Sequence, residues 1–219
     1  MVDTTKPGLM KNSMQHWNGC QCCAIDCETG GLDPCFHEIL QICILPLDSN
    51  FFPRKDVLPF YINMVPDFPE RVEPAALKVN KLNLARLINE GIEKESAKDL
   101  LETWILKLGL PMNRGGFNRC KILPLGQNYA FDKSFISQWL GASLYNDWFH
   151  YHFRDTMSTA LYQNDRAAMH AQSVPFPKVN LAYLCSQLKV PLDRGHDSLA
   201  DCLATAEVYR RQISQGLME

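Results

Sequence analysis

The chain has 219 residues, of which 46% are hydrophobic and 21% are charged, a composition that is typical of a folded domain and argues against global disorder. The 22 basic and 24 acidic residues give a net charge of −2, which disfavours a protein that coats nucleic acid through an overall positive charge. Any nucleic-acid partner is therefore expected at a local site, where a bound cation would supply the missing positive charge.

The nine cysteines indicate reduced thiols and argue against a disulfide framework. Their number is odd, and residues 1–18 are polar, without the apolar segment of a signal peptide. The CxxC of Cys20 and Cys23 lacks the second pair that a structural zinc site needs. No apolar run approaches the ~18 residues of a membrane span, so no membrane contact is expected. We predict a cytoplasmic protein with mostly buried thiols, a flexible leader over residues 1–18 and a single domain over residues 19–219.

The hydrophobic pattern predicts an α/β fold. Three strands follow one another at residues 22–28, 37–47 and 60–65, and the short connections favour an antiparallel meander. Residues 66–94 contain three prolines and are predicted to be irregular or weakly helical. Further along, the pattern predicts a helix from a Ser96 cap to Leu108, a strand at 122–125, a helix at 132–140, a strand at 149–154 and helices at 181–188 and 199–213. This order predicts a mixed five-stranded sheet, an antiparallel meander followed by parallel strands, flanked by helices.

The first acidic motif is Asp26-Cys27-Glu28, at the end of the first predicted strand. Side chains alternate along a strand, so Asp26 and Glu28 share one face and lie about 7 Å apart along the chain. Two neighbouring carboxylates repel each other, and a divalent cation is the usual compensation. The alternative is a strand end that simply enters a polar turn.

Two more motifs place acids near helix starts. Asp132 follows Asn128 at a strand-to-helix junction. The alternative role of Asp132 is to cap the helix or to interact favourably with the helix dipole. The alternative role of Asn128 is to hold the turn. His196 and Asp201 are five residues apart, a poor spacing for one helix face, so His196 is predicted in the loop and Asp201 in the first helical turn. Ser198 with Asp201 also resembles a capping box, which leaves a structural role open.

Together the motifs resemble those of the DEDDh 3′–5′ exonucleases, the DnaQ-like branch of the ribonuclease H-like superfamily, over residues 22–213. The family's first, second and third motifs are matched by Asp26 with Glu28, by Asp132, and by His196 with Asp201. Residues 73–80 are similar to a family segment that packs near the substrate. The chain departs from the family pattern at Asn80-Lys81, where His-Gly is frequent, and at Gln127, where histidine is frequent.

The resemblance implies hydrolysis of phosphodiester bonds with two divalent cations, Mg²⁺ or Mn²⁺. It implies that Asp26 bridges both ions, that Glu28 and Asp201 bind one of them, that Asp132 binds the other, and that His196 is the general base. It also implies that the 3′-terminal nucleotide contacts residues on both sides of the site, with Thr29, Gly30, Val79, Asn80 and Asn128 as the candidates.

The implied activity is removal of nucleoside 5′-monophosphates from a single-stranded or frayed 3′ end, with DNA favoured over RNA. An exoribonuclease that trims RNA, and a non-catalytic module that accompanies nucleic acid or a polymerase, are the alternatives. A polymerase or homodimer partner is left open. Other polar residues are given structural, capping or solvated roles, namely Asp33, Asp155, Thr156, Asp193 and Asp197.

Overall fold

The computed structural model describes residues 15–17, 19–110, 120–192 and 195–215. The strands are β1 (Gln15–Trp17), β2 (Cys20–Thr29), β3 (Ile39–Pro46), β4 (Phe60–Asn63), β5 (Ile122–Gly126) and β6 (Arg154–Asp155). The helices are α1 (Pro74–Asn80), α2 (Leu84–Glu90), α3 (Lys94–Lys107), α4 (Tyr129–Leu140), α5 (Ala142–Trp148), α6 (Thr156–Met169), α7 (Leu181–Leu188) and α8 (Ser198–Gln215), with a 3₁₀ turn at Pro69–Arg71.

The predicted mixed sheet is confirmed. Its strands lie in the order β4-β3-β2-β5-β6, and β1 pairs with β2. The pairs β2–β3 and β3–β4 are antiparallel, whereas β2–β5 and β5–β6 are parallel. The central strand β2 therefore joins the meander to the parallel half, and its carboxyl end lies beside the helices that follow β5 and β6.

Helices cover both faces of β2 and β3, which explains why these strands are buried along almost their whole length. Side chains alternate between two cores. One core contains Ile25 and Ile42 and packs against α3 and α4, and the other contains Ala24 and Cys43 and packs against Cys202 and its neighbours in α8. All nine cysteines are free thiols, and all but Cys35 are buried, as predicted.

Several predicted boundaries are wrong. Residues 15–17 of the predicted leader form β1, while residues 1–14 and 18 lie outside the described part of the chain. Helix α3 begins at Lys94 with Glu93 as its N-cap residue, not at a Ser96 cap, because the carbonyl of Glu93 already accepts the first helical hydrogen bond, from Ala97, at 2.8 Å. The strand predicted at 149–154 is reduced to Arg154–Asp155 and an isolated bridge between Phe149 and Ile122.

Helices α5 and α6 were not predicted. Few side chains of α6 are buried, among them Thr156, Ala160 and Ala167, so its sequence has no strong apolar period of 3.6. Its start is held by Asp155, whose carboxylate accepts a hydrogen bond from the Ser158 amide at 3.0 Å. Within the described residues, no helix has both the length and the apolar character needed to cross a membrane.

Candidate active site

Strand β2 directs Asp26 and Glu28 to the face that is covered by α8. Both have the same parity as Ala24, which packs against that helix. Asp26 lies opposite Cys43 and Glu28 opposite Gln41 in the register with β3. Glu28 is buried and Asp26 is half-buried, so the first motif forms a pair of carboxylates at the edge of the core.

Asp132 enters the same site from the first turn of α4. Its Oδ1 accepts a hydrogen bond from the Cys27 amide at 2.9 Å, between the two acids of the first motif. The start of α4 is fixed in turn by Asp155, whose Oδ2 accepts from the Tyr129 amide at 2.6 Å. This contact fits the structural role predicted for Asp155. Asn128 has left-handed backbone angles, with φ of 61°, and its side chain makes no capping hydrogen bond.

The third motif has the predicted geometry. His196 lies in the turn before α8, and Asp201 lies in the first turn of that helix. The His196 amide donates to Asp201 Oδ2 at 3.0 Å, and one ligand atom each of Glu28, His196 and Asp201 lie within 4.8 Å of one another. The helix is capped by Asp197, whose Oδ1 accepts from the Ala200 amide at 3.1 Å, so Asp201 remains available to the site.

Gln41 is a residue of this site that the sequence analysis missed. It is buried in β3, and its Oε1 accepts hydrogen bonds from the amide and the hydroxyl of Ser198 at 2.9 and 3.0 Å. Its Nε2 donates to Tyr61 Oη at 3.1 Å and to Asn63 Oδ1 at 2.9 Å. Gln41 therefore anchors the start of α8, and with it the third motif, to the sheet. A single glutamine within an otherwise apolar strand was the available signal.

The four acids are close enough to perturb one another. Burial, followed by the charges of Asp132, Asp201 and Glu28, raises the pKa of Asp26 well above its usual value. Burial also raises the pKa of Glu28 to about 7, with smaller contributions from Asp201 and Asp197, and that of Asp132 to about 8. Such a cluster holds protons at neutral pH unless a cation offsets its charge.

The donor set fits a divalent cation. Asp201 Oδ1 is buried and has no hydrogen-bond partner among the described residues, although Oδ2 of the same carboxylate is satisfied. An unsatisfied buried carboxylate oxygen is costly without a ligand. Clustered carboxylate oxygens are the hard donors that Mg²⁺ and Mn²⁺ prefer. The acids of the three motifs are therefore suited to hold metal.

A cavity of about 290 Å³ opens beside the acids, and we call it the site cavity. Its polar lining includes Glu28, Thr29 and Asn80, and its apolar lining includes Leu32, Val79 and Phe131. The structure thus brings three of the five predicted nucleotide contacts, Thr29, Val79 and Asn80, to one cavity.

The other two predicted contacts do not line the site cavity. Gly30 uses its backbone within the protein, since its amide donates to the Glu38 carbonyl at 2.9 Å and its carbonyl accepts from the Glu73 amide at 2.8 Å. Gly31 lines the cavity in its place. The exposed Asn128 is also absent from the lining of the site cavity, and its left-handed backbone angles fit the turn that is its alternative role.

The raised pKa values predict how the metal-free protein responds to pH. An acid whose folded pKa is raised stabilises the fold below its unfolded pKa, near ~4, and that stability is lost as the pH rises through the folded pKa. With values of about 7 for Glu28 and about 8 for Asp132, the contribution of these two acids to the melting temperature in chelator should be lost between about pH 4 and about pH 8. At the upper end of this pH range, the melting temperature of Asp132→Asn should be roughly 3–10 °C higher than that of the wild type.

Thermal unfolding at both pH values tests this expectation, with Asp165→Asn as the control because Asp165 is an exposed acid in α6. A divalent cation should raise the melting temperature of the wild type more than that of Asp132→Asn. Equal pH dependence in all three proteins would contradict the pKa assignment.

This fold and this arrangement of four acids and one histidine resemble those of the metal-dependent nucleases of the DEDDh, DnaQ-like class. Among known proteins, the chain is similar to ribonuclease T of Wigglesworthia glossinidia brevipalpis, with 27% identity over 190 residues, covering 84% of this chain and 80% of that protein. No family model matches the chain.

Solved structures with the same fold include E. coli exonuclease I in complex with a dT13 oligonucleotide, with a TM-score of 0.68, 18% identity and coverage of 90% of this chain. The chain spans only 42% of that exonuclease I chain. Cell-death related nuclease 4 is a second match, with a TM-score of 0.67, 15% identity and coverage of 91% of this chain and 67% of that one.

Proposed function

We propose that the protein is a 3′–5′ exonuclease that removes nucleotides from the 3′ end of single-stranded DNA and releases nucleoside 5′-monophosphates. The observation that carries the proposal is the convergence of four acids and one histidine at the carboxyl end of β2, beside a cavity of about 290 Å³. That volume is close to the lower limit of roughly 300 Å³ for small-molecule sites and suits a single terminal nucleotide.

In this proposal Asp26, Glu28, Asp132 and Asp201 hold two divalent cations, Mg²⁺ or Mn²⁺. When bound, the ions supply positive charge for the phosphate and for the attacking and leaving oxygens. The Cys27 amide keeps one carboxylate oxygen of Asp132 in a fixed direction, and the His196 amide does the same for Asp201. The acids are thus oriented before the substrate arrives, so little reorganisation is needed during the reaction.

His196 takes the proton of the water that attacks the phosphorus. Imidazole is the side chain that exchanges protons most readily near neutral pH. The ring is exposed, so the proton can pass on to bulk water. Its position in a turn that is tied to Asp201 keeps the ring beside the carboxylates without requiring that it bind an ion.

The terminal base occupies the apolar part of the site cavity, between Leu32, Val79 and Phe131. Asn80 Nδ2 donates to the Thr29 carbonyl at 3.2 Å, which joins the two walls of the cavity. A base can enter only when it is unpaired, so the substrate is a single-stranded or frayed end. The complex of E. coli exonuclease I with a dT13 oligonucleotide supports this choice of DNA.

An exoribonuclease that trims RNA 3′ ends is the second candidate, and it is favoured by the similarity to ribonuclease T. Both candidates use the same five residues. The activity is assigned to one domain over residues 19–219 and to the cytoplasm, which the nine free thiols support. A polymerase or a second copy of the chain is not part of the proposal.

A degradation time course tests the proposal. Matched 5′-end-labelled single-stranded DNA, duplex DNA and RNA are incubated with Mg²⁺, with Mn²⁺ or with excess chelator, and the released nucleotides are identified by chromatography. We expect a ladder that shortens from the 3′ end, 5′-monophosphate products and no activity in chelator. Asp26→Asn protein purified in the same way controls for contaminating nucleases.

Cuts within a circular strand, trimming from the 5′ end or full activity in chelator would overturn the proposal. Faster degradation of RNA than of single-stranded DNA would replace it with the second candidate.

A further inference from the structure

A second feature next to the site combines aromatic rings with a positive charge. The guanidinium carbon of Arg71 lies 3.8 Å from the ring centroid of Phe68 and 5.1 Å from that of Phe36. The two phenylalanines are 42% and 50% exposed. We call these three residues the Arg71 cluster. Exposed aromatic rings beside an arginine are a common means of binding unpaired bases and their phosphates.

The charge of Arg71 is not neutralised by a neighbouring acid. Among the described residues, no carboxylate lies within ion-pair distance of its guanidinium. The nearby lysines differ in this respect, since Lys94 is paired with Glu38 and Asp67, and Lys98 is paired with Glu95. Arg71 therefore presents a free positive charge in a chain whose net charge is −2.

The Arg71 cluster borders a second cavity of about 270 Å³, which shares a wall with the site cavity. His37 lines the second cavity, Glu73 lines the site cavity, and the two side chains meet at 3.1 Å between Nε2 and Oε1. Gly31 lines the site cavity at the same boundary. A Cβ atom added at position 31 would lie 2.5 Å from the His37 ring, so the two segments can approach closely only with glycine there. The contact between His37 and Glu73 therefore separates the two cavities at this point.

The cluster is held rigidly against the turn that follows β2. The Phe68 amide donates to Glu38 Oε2 at 3.1 Å, and the Glu73 amide donates to the Gly30 carbonyl at 2.8 Å. Residues 68–73 are therefore fixed at both ends to the connection between β2 and β3, which directly follows the first acidic motif. A nucleic-acid strand whose 3′ end enters the site cavity has a preformed surface beside it, and this preformed surface lowers the entropic cost of binding.

We propose that the Arg71 cluster and the second cavity bind the nucleotides that lie upstream of the two 3′-terminal ones in a single strand. Their bases stack on Phe36 and Phe68, and Arg71 contacts a phosphate. The proposal rests on the proposed function, in which the terminal nucleotide occupies the site cavity. Stacking on a ring face tolerates every base but requires that the base be unpaired. The cluster therefore favours long single strands over dinucleotides and over duplex ends.

Kinetics on substrates of two lengths test the proposal, with a dinucleotide and a single strand of about 10 thymidines as the probes. Phe68→Ala and Arg71→Ala should each raise KM for the longer strand by roughly 5–100-fold, the range expected for one lost stacking contact. Hydrolysis of the dinucleotide should change less than about twofold, because it does not reach the cluster. Arg71→Lys should restore only part of the affinity, since lysine keeps the charge without the planar group.

Phe52→Ala is the matched control. Phe52 is 47% exposed and also lies under an arginine, with Arg210 at 4.6 Å from its ring centroid, but it does not line either cavity. This variant should keep the wild-type KM for both substrates. Melting temperatures of all variants confirm that each one is folded.

The two proposals fail in different ways. If the wild type hydrolyses both substrates but the cluster variants keep its KM for the longer strand, the cluster proposal is overturned and the proposed function stands. If the wild type hydrolyses neither substrate, the proposed function is overturned. Fluorescence anisotropy with the same labelled strand then decides on the cluster: weaker binding by Phe68→Ala and Arg71→Ala supports it, and unchanged binding overturns it.

Discussion

Replacing Asp26 by asparagine should abolish hydrolysis, with a loss of at least about 10³-fold in rate at saturating Mg²⁺. Asp26 is the acid whose pKa is raised by the charges of all three others, Asp132, Asp201 and Glu28, so it occupies the centre of the cluster. In the proposed site Asp26 would help to hold both ions, and a neutral amide at this position would weaken the binding of each. The measurement is the initial rate on end-labelled single-stranded DNA over a range of Mg²⁺ and Mn²⁺ concentrations.

The fold should survive this substitution, because asparagine has nearly the same size and removes one of the repelling charges. In the absence of metal, the melting temperature of Asp26→Asn should equal or exceed that of the wild type. Asp165→Asn, which changes an exposed acid outside the site, should retain full activity. If Asp26→Asn hydrolysed DNA at a near-normal rate, the assignment of the first motif to metal binding would be wrong.

Replacing His196 by asparagine should lower the catalytic rate by about 10²–10⁴-fold, the usual cost of removing a general base. Asparagine is chosen because His196 has left-handed backbone angles, with φ of 70°. Asparagine adopts this conformation more easily than alanine does, so the change separates proton transfer from strain in the turn. Metal binding, measured by calorimetry, should be largely retained because the four carboxylates are unchanged.

The pH profile provides an independent readout. The wild-type rate should fall at low pH, because an imidazolium ion cannot accept the proton. The residual rate of His196→Asn should lack the part of this pH dependence that comes from the imidazole. His170→Asn, which changes another exposed histidine at the end of α6, is the control for general effects of losing an imidazole. A His196→Asn protein that is unstable but has a near-normal rate per folded molecule would show that the residue only shapes the turn.

The local pattern of the sequence was sufficient to predict those features of the site that depend on neighbours in the chain. Alternation along a strand places Asp26 and Glu28 on one face, because that period is a property of any extended backbone. The spacing of His196 and Asp201 excludes one helix face, and the structure confirms the loop and first-turn positions. The meander was predictable because its strands are joined by short connections.

Only the tertiary structure decided how the three motifs meet. Asp132 bonds the Cys27 amide across 105 positions of sequence, and Gln41 bonds Ser198 across 157. Such contacts depend on the order of strands in the sheet and on how α4 and α8 pack against it, which no local period encodes.

The same reason explains the remaining differences from the sequence predictions. The backbone groups of Gly30 are used by Glu38, within the connection between β2 and β3, and by Glu73, from a distant segment, so this glycine supports the turn and Gly31 faces the cavity. The Arg71 cluster also forms from separate segments, because the 3₁₀ turn at Pro69–Arg71 folds back towards Phe36. The sequence by itself thus determined the chemical groups of the site and their local geometry. Their assembly into one site required long-range packing, which is a property of the whole chain.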